Sequence, residues 1–201
     1  MEIKDLYRDR RVLSYGGLAL VVVFIMSIAA SMCLSGQFGA YMLKQQQAQR
    51  SELASLLSQQ YNQSQGWDSR ALGAIGINSL HGGMIIKIVG PEGNVLWDAR
   101  LYNNWLCEQM ITHHQELTPV EGAYVVQPYP LISGSALVGT VEIGYYGPYY
   151  FSQLEADFLR GMHLRLFGTS LALLLLTWAG LWFVFPGEKE PEPDFTPWYK
   201  K

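Results

Sequence analysis

The sequence predicts an α+β fold, one small domain built on an antiparallel sheet and held between two transmembrane helices. Three observations carry this. Residues 12–34 and 166–185 are almost wholly apolar, and about 20 helical residues at roughly 1.5 Å each cover a hydrocarbon layer of about 30 Å. Residues 84–98, MIIKIVGPEGNVLWD, place two apolar runs around Gly90-Pro91-Glu92-Gly93-Asn94, the pattern of a β-hairpin. Residues 122–131 and 136–145 supply two further strands around a Ser133-Gly134 turn.

The expected organisation is a cytoplasmic N-terminus (1–11), a first transmembrane helix (12–36), an extracytoplasmic domain (37–163), a second transmembrane helix (164–185) and a disordered cytoplasmic tail (186–201). Lys4, Arg8, Arg10 and Arg11 precede the first span, against Lys44 and Arg50 after it, so the basic excess places both termini in the cytoplasm of a two-pass plasma-membrane protein. A cleaved signal peptide is the alternative, with Ala29, Ala30 and Ser31 as its small residues. Its apolar region would exceed the usual run of roughly 7 to 15 residues. A lipoprotein site at Cys33 is disfavoured by Met32 before it.

Residues 38–61 lack proline and, after Gly39, glycine, so the first span continues outward as a long helix. Met42, Gln46, Gln49, Leu53, Leu56 and Gln60 alternate at spacings of four and three, either a dimer seam or a face packed on the chain's own domain. Gly66 closes that helix, and Asp68 caps a short one through Ile75. After the hairpin, residues 98–114 have near-helical apolar spacing and read as a helix or partly helical crossover. Pro128 and Pro130 assign the third strand to a sheet edge. Ser152 and Glu155 form a capping box that opens a helix leading directly into the second span. The proline-rich tail after Pro186 is too short and polar to fold, although Phe195, Trp198 and Tyr199 could hold neighbours.

Charged residues make up 15% and hydrophobic ones 49% of the 201, with a net charge of -3, which suits a membrane protein with one folded domain and leaves no basic field for nucleic acid. Cys33 in a span and Cys107 in the domain are not expected to pair.

The order of span, long helix, four-stranded domain, helix and span resembles the extracytoplasmic input half of bacterial two-component sensor histidine kinases, in the PAS-like or single Cache group. Gly66-Trp67-Asp68, the hairpin IVGPEGNVLWDAR, Cys107-x-x-Met110, the run from Val138 to Tyr150 and Glu155-Ala156-Asp157-Phe158-Leu159 carry the similarity. It covers roughly residues 1–185 and implies a ligand-sensing domain that signals through a partner. Such kinases continue into a HAMP relay and a catalytic core, whereas this sequence ends about fifteen residues after its second span. The expectation is therefore a non-enzymatic sensor without cofactor, its partners being the bilayer, a small ligand, and a second copy or a sensor kinase. A structural or assembly subunit of a membrane complex is the alternative.

Two candidate sites follow from the residues. On a helix, Cys107, Met110 and His114 fall within a narrow arc, and thiolate, thioether and imidazole donors suit Cu(I) or another thiophilic ion. Ordinary core packing, with a histidine at a helix end, explains the same spacing. Arg100, Tyr124 and Tyr145 are the candidate ligand-binding residues, tyrosines lining a pocket on the sheet and the arginine meeting an anionic group. Neither a Ser-His-Asp nor an H-E-x-x-H pattern is present.

Overall fold

The computed structural model describes residues 10–62 and 64–184. Contacts divide the chain into two compact units, Cys33–Gly161 and the flanking Met1–Met32 with Met162–Lys201. The candidate tail residues Phe195, Trp198 and Tyr199, with Lys4 and Arg8, lie outside the described residues. The elements run α1 (Arg10–Gln59), β1 (Tyr61–Asn62), β2 (Gly66–Trp67), α2 (Ser69–His81), β3 (Ile85–Val89) and β4 (Val95–Asp98). They continue with α3 (Ala99–Leu117), β5 (Tyr124–Ser133), β6 (Ala136–Tyr146) and α4 (Gln153–Val184).

In the Cys33–Gly161 unit the fold is α+β, with a four-stranded antiparallel sheet in the order β4-β3-β6-β5 and a separate two-stranded ladder of β1 and β2. The β3–β4 turn is closed by Gly90, whose N–H donates to Asn94 O, with Gly93 at φ +83 where a side chain would be strained. Pro128 and Pro130 fall in β5, an edge strand, where a missing N–H costs no ladder bond.

Alternation sorts the sheet into two faces. Ile86, Ile88, Val141, Ile143 and Leu131 pack with Leu53, Ala54 and Leu57 of α1 and Leu72 of α2. Ile85 turns the other way, to a smaller cluster with Leu80, Ala99 and Cys107. Of the 4-3 stripe on α1, Met42, Gln46 and Leu53 are buried while Gln49 and Leu56 are exposed. The stripe's buried members thus face the chain's own domain.

Capping chemistry sets several boundaries. Asp68 accepts from Arg70 N and Ala71 N to open α2, and Asp98 accepts from Arg100 N to open α3. Glu155 accepts from Ser152 N at 2.8 Å, with Ser152 Oγ accepting in return from Glu155 N, before α4. The long helix ends at Gln59 rather than at Gly66, because Asn62 Oδ1 accepts from Ser64 N and Tyr61 meets the Trp67 ring, folding β1 back on β2. Inside α3 Asn103 leaves helical geometry and its Oδ1 accepts from Leu106 N, restarting the helix.

In the flanking unit two helices are long and apolar enough to cross a membrane. Only 6% and 0% of their apolar windows are buried, unlike the mostly buried core helix of a soluble protein. Leu18, Val21, Phe24, Ile25, Leu171, Leu175 and Leu176 are exposed, a surface that fits a membrane location. The helices meet through small and polar side chains. Ser27 Oγ lies 2.7 Å from Ser170 Oγ, Ser31 Oγ lies 2.9 Å from His163 Nδ1, and a Cβ on Gly16 would touch Trp178 at 3.3 Å.

Candidate functional site

A pocket of about 190 Å³ opens on the sheet face that α1 does not cover, lined by Lys87, Asp98, Arg100, Tyr124, Glu142 and Gly144 together with apolar neighbours. Its polar walls come from register. Lys87 and Glu142 are directly opposite on β3 and β6, and their side chains pair at 3.3 Å. Asp98 faces Lys87 from β4 and caps α3, which places Arg100 at the helix's first turn.

Arg100 is held on three sides. Its Nη1 donates to Glu108 Oε1 at 2.6 Å and Asn104 Oδ1 at 3.1 Å, and its guanidinium carbon lies 5.0 Å from the Tyr124 ring centroid. The hydrogen bond to Glu108 raises the Arg100 pKa further, so the cation is permanent. Burial pushes the Tyr124 phenol up, against the opposing pull of Arg100, and it remains a donor at neutral pH. Gly144 makes room for it, since a Cβ there would overlap Tyr124 Oη.

Arg100 and Tyr124, expected from sequence, come together here. Tyr145 lies on the opposite face, because it follows Gly144 on β6 and a strand has a period of two. Its ring packs under Arg50 of α1, and its hydroxyl reaches Gln127 at 3.5 Å. Lys87, Glu142 and Gly144 were missed by sequence reasoning. The Lys87 break in the apolar run of β3 was the available signal.

Cys107 and Met110 share the cluster around Leu80, Ile85 and Ala99, whereas His114 turns elsewhere. His114 Nδ1 bonds Phe151 O at 2.9 Å and its ring centroid is 4.4 Å from that of Tyr150. A carbonyl oxygen only accepts, so Nδ1 carries the hydrogen. Burial pushes the Cys107 thiol up, towards the protonated form and away from the thiolate a soft metal takes. Burial likewise holds the His114 imidazole below its ordinary value, against the hydrogen bond to Phe151. Among the described residues no group of three or more His, Cys, Asp or Glu side chains is placed to hold a metal ion.

No protein-family model matches this chain, and no curated protein or solved structure is significantly similar to it.

Proposed function

We propose that this chain is a two-pass protein of a bacterial plasma membrane whose Cys33–Gly161 unit is an extracytoplasmic sensory domain of the PAS-like, single Cache kind. The domain binds a small carboxylate-bearing ligand between Arg100 and Tyr124 and signals to a partner by displacing the helices that continue into the spans. The observation that carries this reading is the pocket. A permanent guanidinium, paired with Glu108, and a phenol donor line one opening together with Asp98 and the Lys87–Glu142 pair. At about 190 Å³ it is smaller than sites for drug-sized molecules and suits an amino acid or a short carboxylic acid. Charges of both signs favour a zwitterion.

The test is thermal unfolding of the full chain in detergent, titrated in turn with the common L-amino acids and with acetate, succinate and citrate. At least one should raise Tm in proportion to the logarithm of its concentration. Arg100→Ala should remove that rise. If no titrant moves Tm, the sensory reading fails.

An assembly subunit remains the second reading because of one observation. Leu101, Tyr102 and Trp105 form an exposed apolar group on α3, with Leu101 82% accessible. Stable co-purification of the full chain with a larger membrane complex, lost in Leu101→Ser/Trp105→Ser, supports that reading.

A further inference from the structure

The buried face of α1 carries two polar residues one turn apart, and they differ in how well they are satisfied. Gln46 is 3% exposed and its amide bonds both backbone groups of Tyr150. Its Nε2 donates to Tyr150 O at 2.7 Å, and its Oε1 accepts from Tyr150 N at 3.3 Å. Arg50 is also 3% exposed, but its Nε and Nη1 have no acceptor from the protein. Its guanidinium carbon instead lies over an aromatic face, 4.0 Å from the Tyr145 centroid, and no carboxylate among the described residues pairs with it.

A buried cation without an anion is among the costliest arrangements a fold can hold, and the cation-π contact compensates only in part. The residues on either side are apolar and well packed, with Met42 and Leu57 almost fully buried. The cost is therefore confined to the turn of α1 that faces Tyr145–Tyr150, the stretch through which β6 leads into α4. Separating α1 from that stretch gives the guanidinium water; the hydrogen bonds lost are the two from Gln46, together with the Arg50–Tyr145 contact and the packing of Phe38 on Phe151.

We propose that Arg50 is a built-in weak point, a conformational device that lets α1 part from the β6–α4 connection far more readily than the rest of the core opens. The closed state is the one described above. In the open state Arg50 is solvated and Tyr150 loses its clamp, while the pairing of β3 with β6 persists. Only the use to which such a movement is put rests on the sensory reading; the movement is a property of the joint and is tested without any ligand.

Hydrogen exchange and thermal unfolding of the full chain in lipid nanodiscs, wild type against Arg50→Met, decide it. Methionine keeps the unbranched stem and removes the charge. The Tyr150 amide should exchange at least about tenfold faster than those of Ile86 and Ile143 in the wild type, and should slow by about tenfold in R50M, although Gln46 is untouched. The same variant should raise Tm by about 4 °C. A Tm that stays level or falls, a variant that does not fold, or a Tyr150 amide that exchanges no faster in the wild type than in R50M overturns the proposal. A purely supportive Arg50 gives the opposite sign in both measurements. Ligand titrations that fail while R50M behaves as stated reject the sensor and leave the weak point standing.

Discussion

His114 sits where gaining a charge is expensive. It is buried, its Nδ1–H is committed to Phe151 O, and Tyr150 covers its ring, with His113 opposing protonation and Glu155 favouring it. Its folded pKa lies below the ordinary value of 6.5. Well above that value the imidazole is neutral in both states and contributes nothing to pH dependence. As pH falls through the unfolded value only the unfolded chain takes up the proton, so stability declines until the folded value is reached. Tm should thus be lower at about pH 5.5 than at about pH 7.5, and His114→Gln should flatten this part of the profile. Gly144 offers a second residue-scale test. A Cβ there collides with Tyr124 Oη, a side chain exposed enough to swing away. Gly144→Ala should abolish any ligand-induced Tm rise that Arg100→Ala also abolishes, measured on the same full-length protein, with the Arg100–Glu108 pair intact. The pocket was half legible in the sequence for the same reason. Arg100 and Tyr124 advertise chemistry, but the fact that Gly144 faces them and Tyr145 does not depends on register, which one sequence does not display.

At the scale of elements, the legible parts are those with local chemistry. Asp68 and Ser152 with Glu155 satisfy helix N–H groups within three residues of themselves, so their meaning is readable in a short window; Asp98, not read as a cap from the sequence, does the same for α3. The β3–β4 hairpin and the proline-marked edge strand β5 are local for the same reason. The end of α1 was not legible, because it depends on Asn62 turning the chain back so that Trp67 meets Tyr61, a tertiary contact with no helix-breaking signal at Gln59. Nor was the meaning of Gln46 and Arg50, whose partners lie about a hundred residues away in sequence, on the central strand β6 and in the segment that follows it. The caps make a quantitative prediction. Asp68→Ala leaves two exposed donors of α2 unpaired and should cost about 1 kcal/mol, lowering Tm by roughly 3 °C in a full-chain melt. Asp68→Asn should recover most of it, since the amide oxygen accepts the same bonds without the charge.

On the scale of the whole molecule, the two units obey opposite rules of burial. In Cys33–Gly161 the sheet and its covering helices build a buried apolar core, as water demands, with Leu101, Tyr102 and Trp105 the exposed exception on α3; in the flanking helices nearly every described Leu, Val and Phe points outwards. One solvent cannot satisfy both, so lipid around the flanks and water around the sheet is the arrangement the surfaces fit. The cluster of Lys4, Arg8, Arg10 and Arg11 before the first apolar stretch is the ground for proposing the extracytoplasmic side for the sheet, and that proposal is open to a direct test. Ser135, exposed in the turn between β5 and β6, is the place to ask. With the exposed native Cys33 replaced by serine, Ser135→Cys carries the accessible thiol, since Cys107 is buried and contributes little background. A membrane-impermeant maleimide should label Ser135→Cys on intact cells as fully as after lysis. Labelling that appears only after lysis puts the sheet in the cytoplasm, where a pocket for external amino acids or short acids has nothing outside to sense.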